Sequence, residues 1–229
     1  MQSASKRCLF IALPLIAACA MKAATATLLV DDPPSPKNPE FYKKLQSALV
    51  KFEQSGDPTI QRLHATVVAS PGTINFREMT DDKTTWFSDG DRDRGHTEPT
   101  DGRPKREGRS KPVNATIFIQ RSAVESGSPR WNSGLLAHEL VHALDLTTGR
   151  YNRDYTVRER RATFIQNIWR HQVGSPLRTT YHGKFPTMDY QYASKQGTIA
   201  EYADYIFTRA DFPTPSIETP PDKFSGKKR

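Results

Sequence analysis

His138, Glu139 and His142 stand within one short run, His138-Glu139-Leu140-Val141-His142. On an α-helix, residues four apart lie one turn apart on the same face, so the two imidazoles can present nitrogen to a single ion. Glu139 sits beside the first imidazole, where its carboxylate can reach a water on that ion without being a ligand itself. This HExxH spacing serves hydrolysis assisted by a divalent metal, with zinc the expected ion. Leu135, Leu136, Leu140, Val141, Ala143 and Leu144 make the surrounding segment strongly apolar. Histidines and a glutamate inside such a helix need partners, because burying them unsatisfied is costly.

The run Ala137-His138-Glu139-Leu140-Val141-His142-Ala143 resembles the active-site helix of zincin metallopeptidases. With the downstream Glu159-Arg160-Arg161-Ala162 it is similar to the type III-secreted effector metallopeptidases of plant and enteric pathogens, which are related in motif to clostridial neurotoxin light chains. The resemblance covers residues 114–181, and the pentad is specific to zincins at large rather than to the effector group. An N-terminal export signal departs from that group.

A catalytic zinc takes three protein ligands and keeps one position open. No third histidine follows at the metzincin offset. The resemblance implies Glu159, which follows His142 at the start of the next helix, where zincins with a glutamate ligand place it. Thr156-Val157-Arg158-Glu159 also reads as a capping box, in which Glu159 would only bond the N-cap amide. Asp154 and Asp145 are the other candidates for the third ligand, and Asp145, one turn beyond His142, is better placed to orient an imidazole. His171 and His182 read as surface or structural residues. Zinc brings its bound water towards neutral pKa and polarises a carbonyl, while Glu139 acts as general base and then returns the proton to the leaving amine. Arg178-Thr179-Thr180-Tyr181 resembles the Arg-x-x-Tyr segment of clostridial toxin light chains, which implies Arg178 and Tyr181 as donors to the oxyanion.

The elements that must position these groups follow from periodicity and punctuation. Asn38 as N-cap and Pro39 at the first position open a helix with the stripe Phe41, Leu45, Ala48, Leu49 and Phe52, and Ser55-Gly56-Asp57-Pro58 ends it. Leu63–Ala69 and Thr73–Phe76 read as short strands around a Ser70-Pro71-Gly72 turn, and Trp86-Phe87 as part of a third. Residues 88–112 are almost wholly charged, Gly and Pro, and read as a long exposed loop. Asp89, Asp91 and Asp93 alternate there, but Arg94 and Thr100 occupy the positions where an EF-hand needs Gly and Glu. Asn114–Gln120 has strand composition and is expected as the sheet edge on which an extended peptide lies. The metal-site helix is expected from Asn132 to Thr148 with Gly149 closing it, a second from Val157 to His171, and a third opening on a Thr198/Glu201 capping box.

The chain has 229 residues, an apolar fraction of 36% and a net charge of +8, values that fit one domain with extended polar segments. Residues 1–20 follow the layout of a secretory signal: Lys6 and Arg7 without acids, the apolar run Cys8–Ala18, then small residues. Ala18-Cys19-Ala20 reads as a cleavage site, while Leu15-Ile16-Ala17-Ala18-Cys19 resembles a lipobox that would lipidate Cys19, the expected route to a membrane. Cys8 and Cys19 are the chain's cysteines, so neither a disulfide nor a thiolate ligand is expected in the mature chain. The basic residues are scattered and read as solvated charge rather than a nucleic-acid site.

The expectation is an α+β fold, zincin-like, with a small twisted mixed sheet packed on the HExxH helix and a helical C-terminal half. Residues 27–211 form one metallopeptidase domain, and 212–229 form a disordered, basic, Pro-rich tail. The expected function is zinc-dependent peptide-bond hydrolysis by an exported protein of the periplasm, the outer membrane or the medium. The alternatives are a zinc amidase acting on cell-wall peptide, and an inactive zincin-like binding or envelope protein.

Overall fold

A computed structural model describes residues 28–30, 39–79, 95–100, 111–120, 129–181 and 185–213. The leader at 1–20, Trp86-Phe87, Asp89, Asp91, Asp93, His182 and the tail from 214 lie outside the described residues. The fold is α+β, with a four-stranded mixed sheet and six helices among the described residues. None of these helices is long and apolar enough to cross a membrane.

The chain enters at β1 (Leu28–Val30) and continues into α1 (Pro39–Glu53), whose Phe41, Leu45, Leu49 and Phe52 are buried at the expected helical spacing. The next segment differs from the expectation. Pro58–Val68 is a helix, α2, where strand propensity had pointed to β-structure from Leu63. The Asp57 side chain accepts from the amides of Thr59 and Ile60, Pro58 occupies the first turn, and Ile60, Leu63 and Val67 bury one face. Capping and a three-to-four apolar spacing override the modest β preference of the Val and Thr residues.

Strand β2 (Ile74–Met79) follows, then β3 (Gly95–Pro99) and β4 (Ala115–Gln120), in the spatial order β1-β2-β4-β3. The β1/β2 and β2/β4 pairs are parallel and β3/β4 is antiparallel, with His96 opposite Phe118 and Thr97 opposite Ile117. Two expectations are corrected here. Residues 95–99 are a strand rather than loop, and β4 lies inside the sheet, so among the described residues the edge beside the HExxH helix is β3. Gly95 makes the close packing possible: a Cβ there would stand 3.2 Å from both the Leu135 side chain and the Phe118 carbonyl.

Helix α3 (Pro129–Thr147) runs under β3 and β4 and packs closely against α4 (Tyr155–Gln172). Gly149, at φ 71°, closes α3, with the Arg150 amide returning to the Asp145 carbonyl at 2.8 Å. The chain continues through a two-stranded hairpin, β5 (Thr180–Tyr181) and β6 (Phe185–Pro186), and then α5 (Asp189–Gln196) and α6 (Ile199–Thr208). Thr198 precedes α6 but makes no side-chain capping bond, so the expected capping box with Glu201 does not form. Phe212, assigned by sequence to the tail, is buried against Phe164 and Tyr202.

Candidate metal centre

Helix α3 is apolar on nearly every side: Leu136, Ala137, Leu140, Val141, Ala143 and Leu144 are all buried. His138 and Glu139 are therefore buried too, each 3% exposed, and the His142 side chain keeps 15% exposure. Burial is affordable for these groups because α4 brings a carboxylate to them. Nε2 of His138 lies 3.0 Å from Oε2 of Glu159, Nε2 of His142 lies 3.4 Å from that same oxygen, and the two imidazole nitrogens stand 3.2 Å apart.

These three donor atoms satisfy a simple test for zinc. Ligand atoms about 2.0–2.1 Å from a tetrahedral zinc stand about 3.4 Å apart. The three edges observed here, 3.0, 3.2 and 3.4 Å, are close to that value, and two imidazoles with one carboxylate are a donor set zinc accepts. The group His138, His142 and Glu159 is a candidate metal site on geometry alone.

The electrostatics reflect the same crowding. Burial pushes His138 down to about 4, against the opposing effect of its hydrogen bond to the Glu159 carboxylate. Burial also opposes charge on His142, but the Glu159 carboxylate outweighs it and holds His142 up at about 9, with Glu139 and Asp145 adding to the effect. For Glu159, burial favours the neutral acid, and the charge of His142 with hydrogen bonds from both imidazoles overcomes it, leaving the group well below the ordinary carboxylate range. Without metal, the surroundings thus favour charge on Glu159 and His142 and oppose it on His138.

The cap of α4 decides between the two readings of Glu159. Asp154 is the N-cap, its side chain accepting from the amides of Thr156 at 2.8 Å and Val157 at 3.4 Å. Thr156 is already inside the helix, so the Thr156/Glu159 capping box is not formed, and Glu159 turns to the histidines. Asp154 itself is exposed and is not part of the donor group, so its candidacy as a ligand is withdrawn.

Asp145 is also corrected. Both of its carboxylate oxygens accept from Arg161, at 2.7 and 3.1 Å, rather than from an imidazole. His138 Nδ1 is buried with no hydrogen-bond partner among the described residues. The ring is instead steadied by Tyr181, stacked at 5.9 Å and 10° between planes.

Glu139 stays outside the donor group. Its Oε2 accepts from the Thr97 hydroxyl at 2.7 Å, and the same hydroxyl approaches the Glu139 carbonyl at 3.2 Å. Thr97 was missed because it lies in the stretch read as loop; the period-two placing of Gly95 and Thr97 towards α3 was its one sequence signal.

Arg178 and Tyr181 come to the site together. The Arg178 guanidinium lies over the Tyr181 ring at 4.7 Å, and its charge contributes to keeping His138 neutral. The Arg178 backbone is fixed from α4, exchanging bonds of 2.7 and 2.8 Å with the Asn167 side chain. His171 is exposed, as expected.

Comparison of the chain with protein-family models, curated proteins and solved structures finds no match.

Proposed function

We propose that this chain is a zinc-dependent metallopeptidase of the zincin type, with His138, His142 and Glu159 as ligands and Glu139 as general base. The observation that carries the reading is the convergence of three ligand atoms from α3 and α4 within 4.8 Å of one another, with the intervening glutamate left out of the group. When bound, zinc supplies Lewis acidity to water and to a carbonyl. Glu139, held by Thr97, takes the proton of the attacking water and delivers it to the leaving amine. The Tyr181 hydroxyl and the Arg178 guanidinium supply donors for the oxyanion.

A peptide substrate is favoured over other amides by β3. An extended peptide that adds to this edge lies alongside the strand that touches Glu139. A cell-wall amidase would use the same ligands and base, and differs in needing no such edge. The leader read in residues 1–20 assigns the enzyme to the periplasm, to an outer-membrane anchor at Cys19 or to the medium.

The test is zinc content after dialysis against metal-free buffer, followed by turnover of an unstructured protein. About one zinc per chain is expected, and Glu139→Gln retains it while losing cleavage. A folded protein that takes up no zinc makes the histidines scaffold and ends the peptidase reading. Full activity in Glu139→Gln ends the general-base assignment.

A further inference from the structure

We infer that Arg161 and Asp145 are positioning residues for the metal centre, a clamp that sets the spacing of α3 and α4 at which the three ligands meet. The inference rests on the zinc reading above and concerns how the ligand triangle is held.

Arg161 follows Glu159 by two residues on α4, and Asp145 follows His142 by three on α3. Each helix therefore carries one half of the clamp within one turn of its ligands. The pair is fully buried, with side-chain exposures of 0% and 1%. Arg161 Nε and Nη2 donate to the two oxygens of Asp145 at 3.1 and 2.7 Å, a two-pronged contact that fixes orientation as well as distance. The remaining donors are also used: Nη2 bonds the Ile206 carbonyl at 3.0 Å, and Nη1 bonds those of Asp211 at 2.8 Å and Tyr205 at 3.4 Å. The guanidinium thus ties α3, α4 and the end of α6 in one place.

A buried ion pair is weak evidence for stability, since desolvation offsets much of the attraction. What it supplies here is geometry. His138 Nδ1 has no hydrogen-bond partner among the described residues to orient it, and the ligand edges span 3.0–3.4 Å. For His138, helix spacing together with the Tyr181 stack carries the precision that a hydrogen bond to a ligand imidazole supplies elsewhere. The adjacent Arg160 provides an internal control. It is also buried and paired, with Asp189, but that pair ties α4 to α5.

The test measures zinc affinity of the full chain by competition with a chromophoric chelator, alongside thermal unfolding of the zinc-free protein. Arg161→Lys keeps the charge but loses the fork. It is expected to remain folded and to bind zinc about 10–100-fold more weakly, the range for groups that orient ligands. Asp145→Asn is expected to behave likewise, and Arg160→Lys to lower the unfolding temperature while leaving zinc affinity within about twofold, because no ligand spacing changes.

Wild-type zinc affinity in folded Arg161→Lys overturns the clamp, as does an equal loss in Arg160→Lys. If neither Arg161→Lys nor Asp145→Asn folds, the pair is a folding determinant and the positioning role is likewise rejected. A wild-type chain that binds no zinc in the same titration removes the metal reading itself, an outcome distinct from the others.

Discussion

The Thr97 hydroxyl reaches across from β3 to Glu139 on α3, donating to its Oε2 at 2.7 Å. Strand and helix are thereby latched at the carboxylate assigned the proton transfer. A hydrogen bond to a charged group contributes about 1.5–3 kcal/mol, so Thr97→Val is expected to lower kcat by about 10–100-fold with zinc content unchanged. Losing the donor also raises the carboxylate's pKa, which moves the acid limb of the pH–rate profile upwards. Thr97→Ser restores both. An unaltered pH profile in Thr97→Val would remove the latch from the mechanism.

Glu159 and Asp154 separate cleanly. Asp154→Ala removes the N-cap of α4 and is expected to cost about 0.5–2 kcal/mol of stability without loss of zinc. Glu159→Ala is expected to abolish stoichiometric zinc binding. Metal analysis of the two variants beside their denaturant unfolding curves checks this, and zinc retained by Glu159→Ala would return the third ligand to an open question.

The zinc-free protein has a pH signature whose sign follows from the three shifts. His142 is raised from 6.5 to about 9, so its stabilising contribution is full below 6.5 and is lost as pH rises through about 9. Glu159 is lowered from 4.5, so its contribution is present above that value and is lost as pH falls further. His138 is lowered from 6.5 to about 4, so protonation of the unfolded chain increasingly favours unfolding across that interval. The unfolding temperature of metal-stripped protein is expected to be highest near pH 6.5 and to decline on both sides. His142→Ala should flatten the alkaline decline, which thermal scans across pH would reveal.

Tyr181 has two separable parts. Its ring stacks on His138 at 5.9 Å, and its hydroxyl is assigned to the oxyanion. Tyr181→Phe is expected to retain zinc and lose about 100-fold or more in kcat, the scale for one oxyanion donor. Tyr181→Ala is expected to weaken zinc binding in addition. Equal kcat in Tyr181→Phe and wild type would leave the ring as its one contribution.

Some misreadings share a cause. The β preference of Thr66, Val67 and Val68 points to a strand over Leu63–Ala69, yet Asp57 caps a helix whose buried face is Ile60, Leu63 and Val67. Local propensity amounts to tenths of a kcal/mol per residue, and burial of an apolar face exceeds it. The strand Gly95–Pro99 was read as loop because Gly, Glu and Pro are poor strand formers, and its pairing with β4 is a long-range contact. Asp145 was placed on the correct helix face, but its partner Arg161 lies on another helix.

The HExxH helix was legible in the sequence because its information is local. The four-residue spacing of His138 and His142 and the apolar residues around them specify one buried helix with two nitrogens on one face. The α+β class and the helical C-terminal half followed from the same kind of periodicity. Only the tertiary structure decided which acid meets the histidines, which strand borders Glu139, and what holds α3 against α4. Those contacts join residues 21, 42 and 16 positions apart in the chain. Helical and strand periods constrain a side chain's direction relative to its own element, whereas its partner on another element is fixed by packing of the whole core.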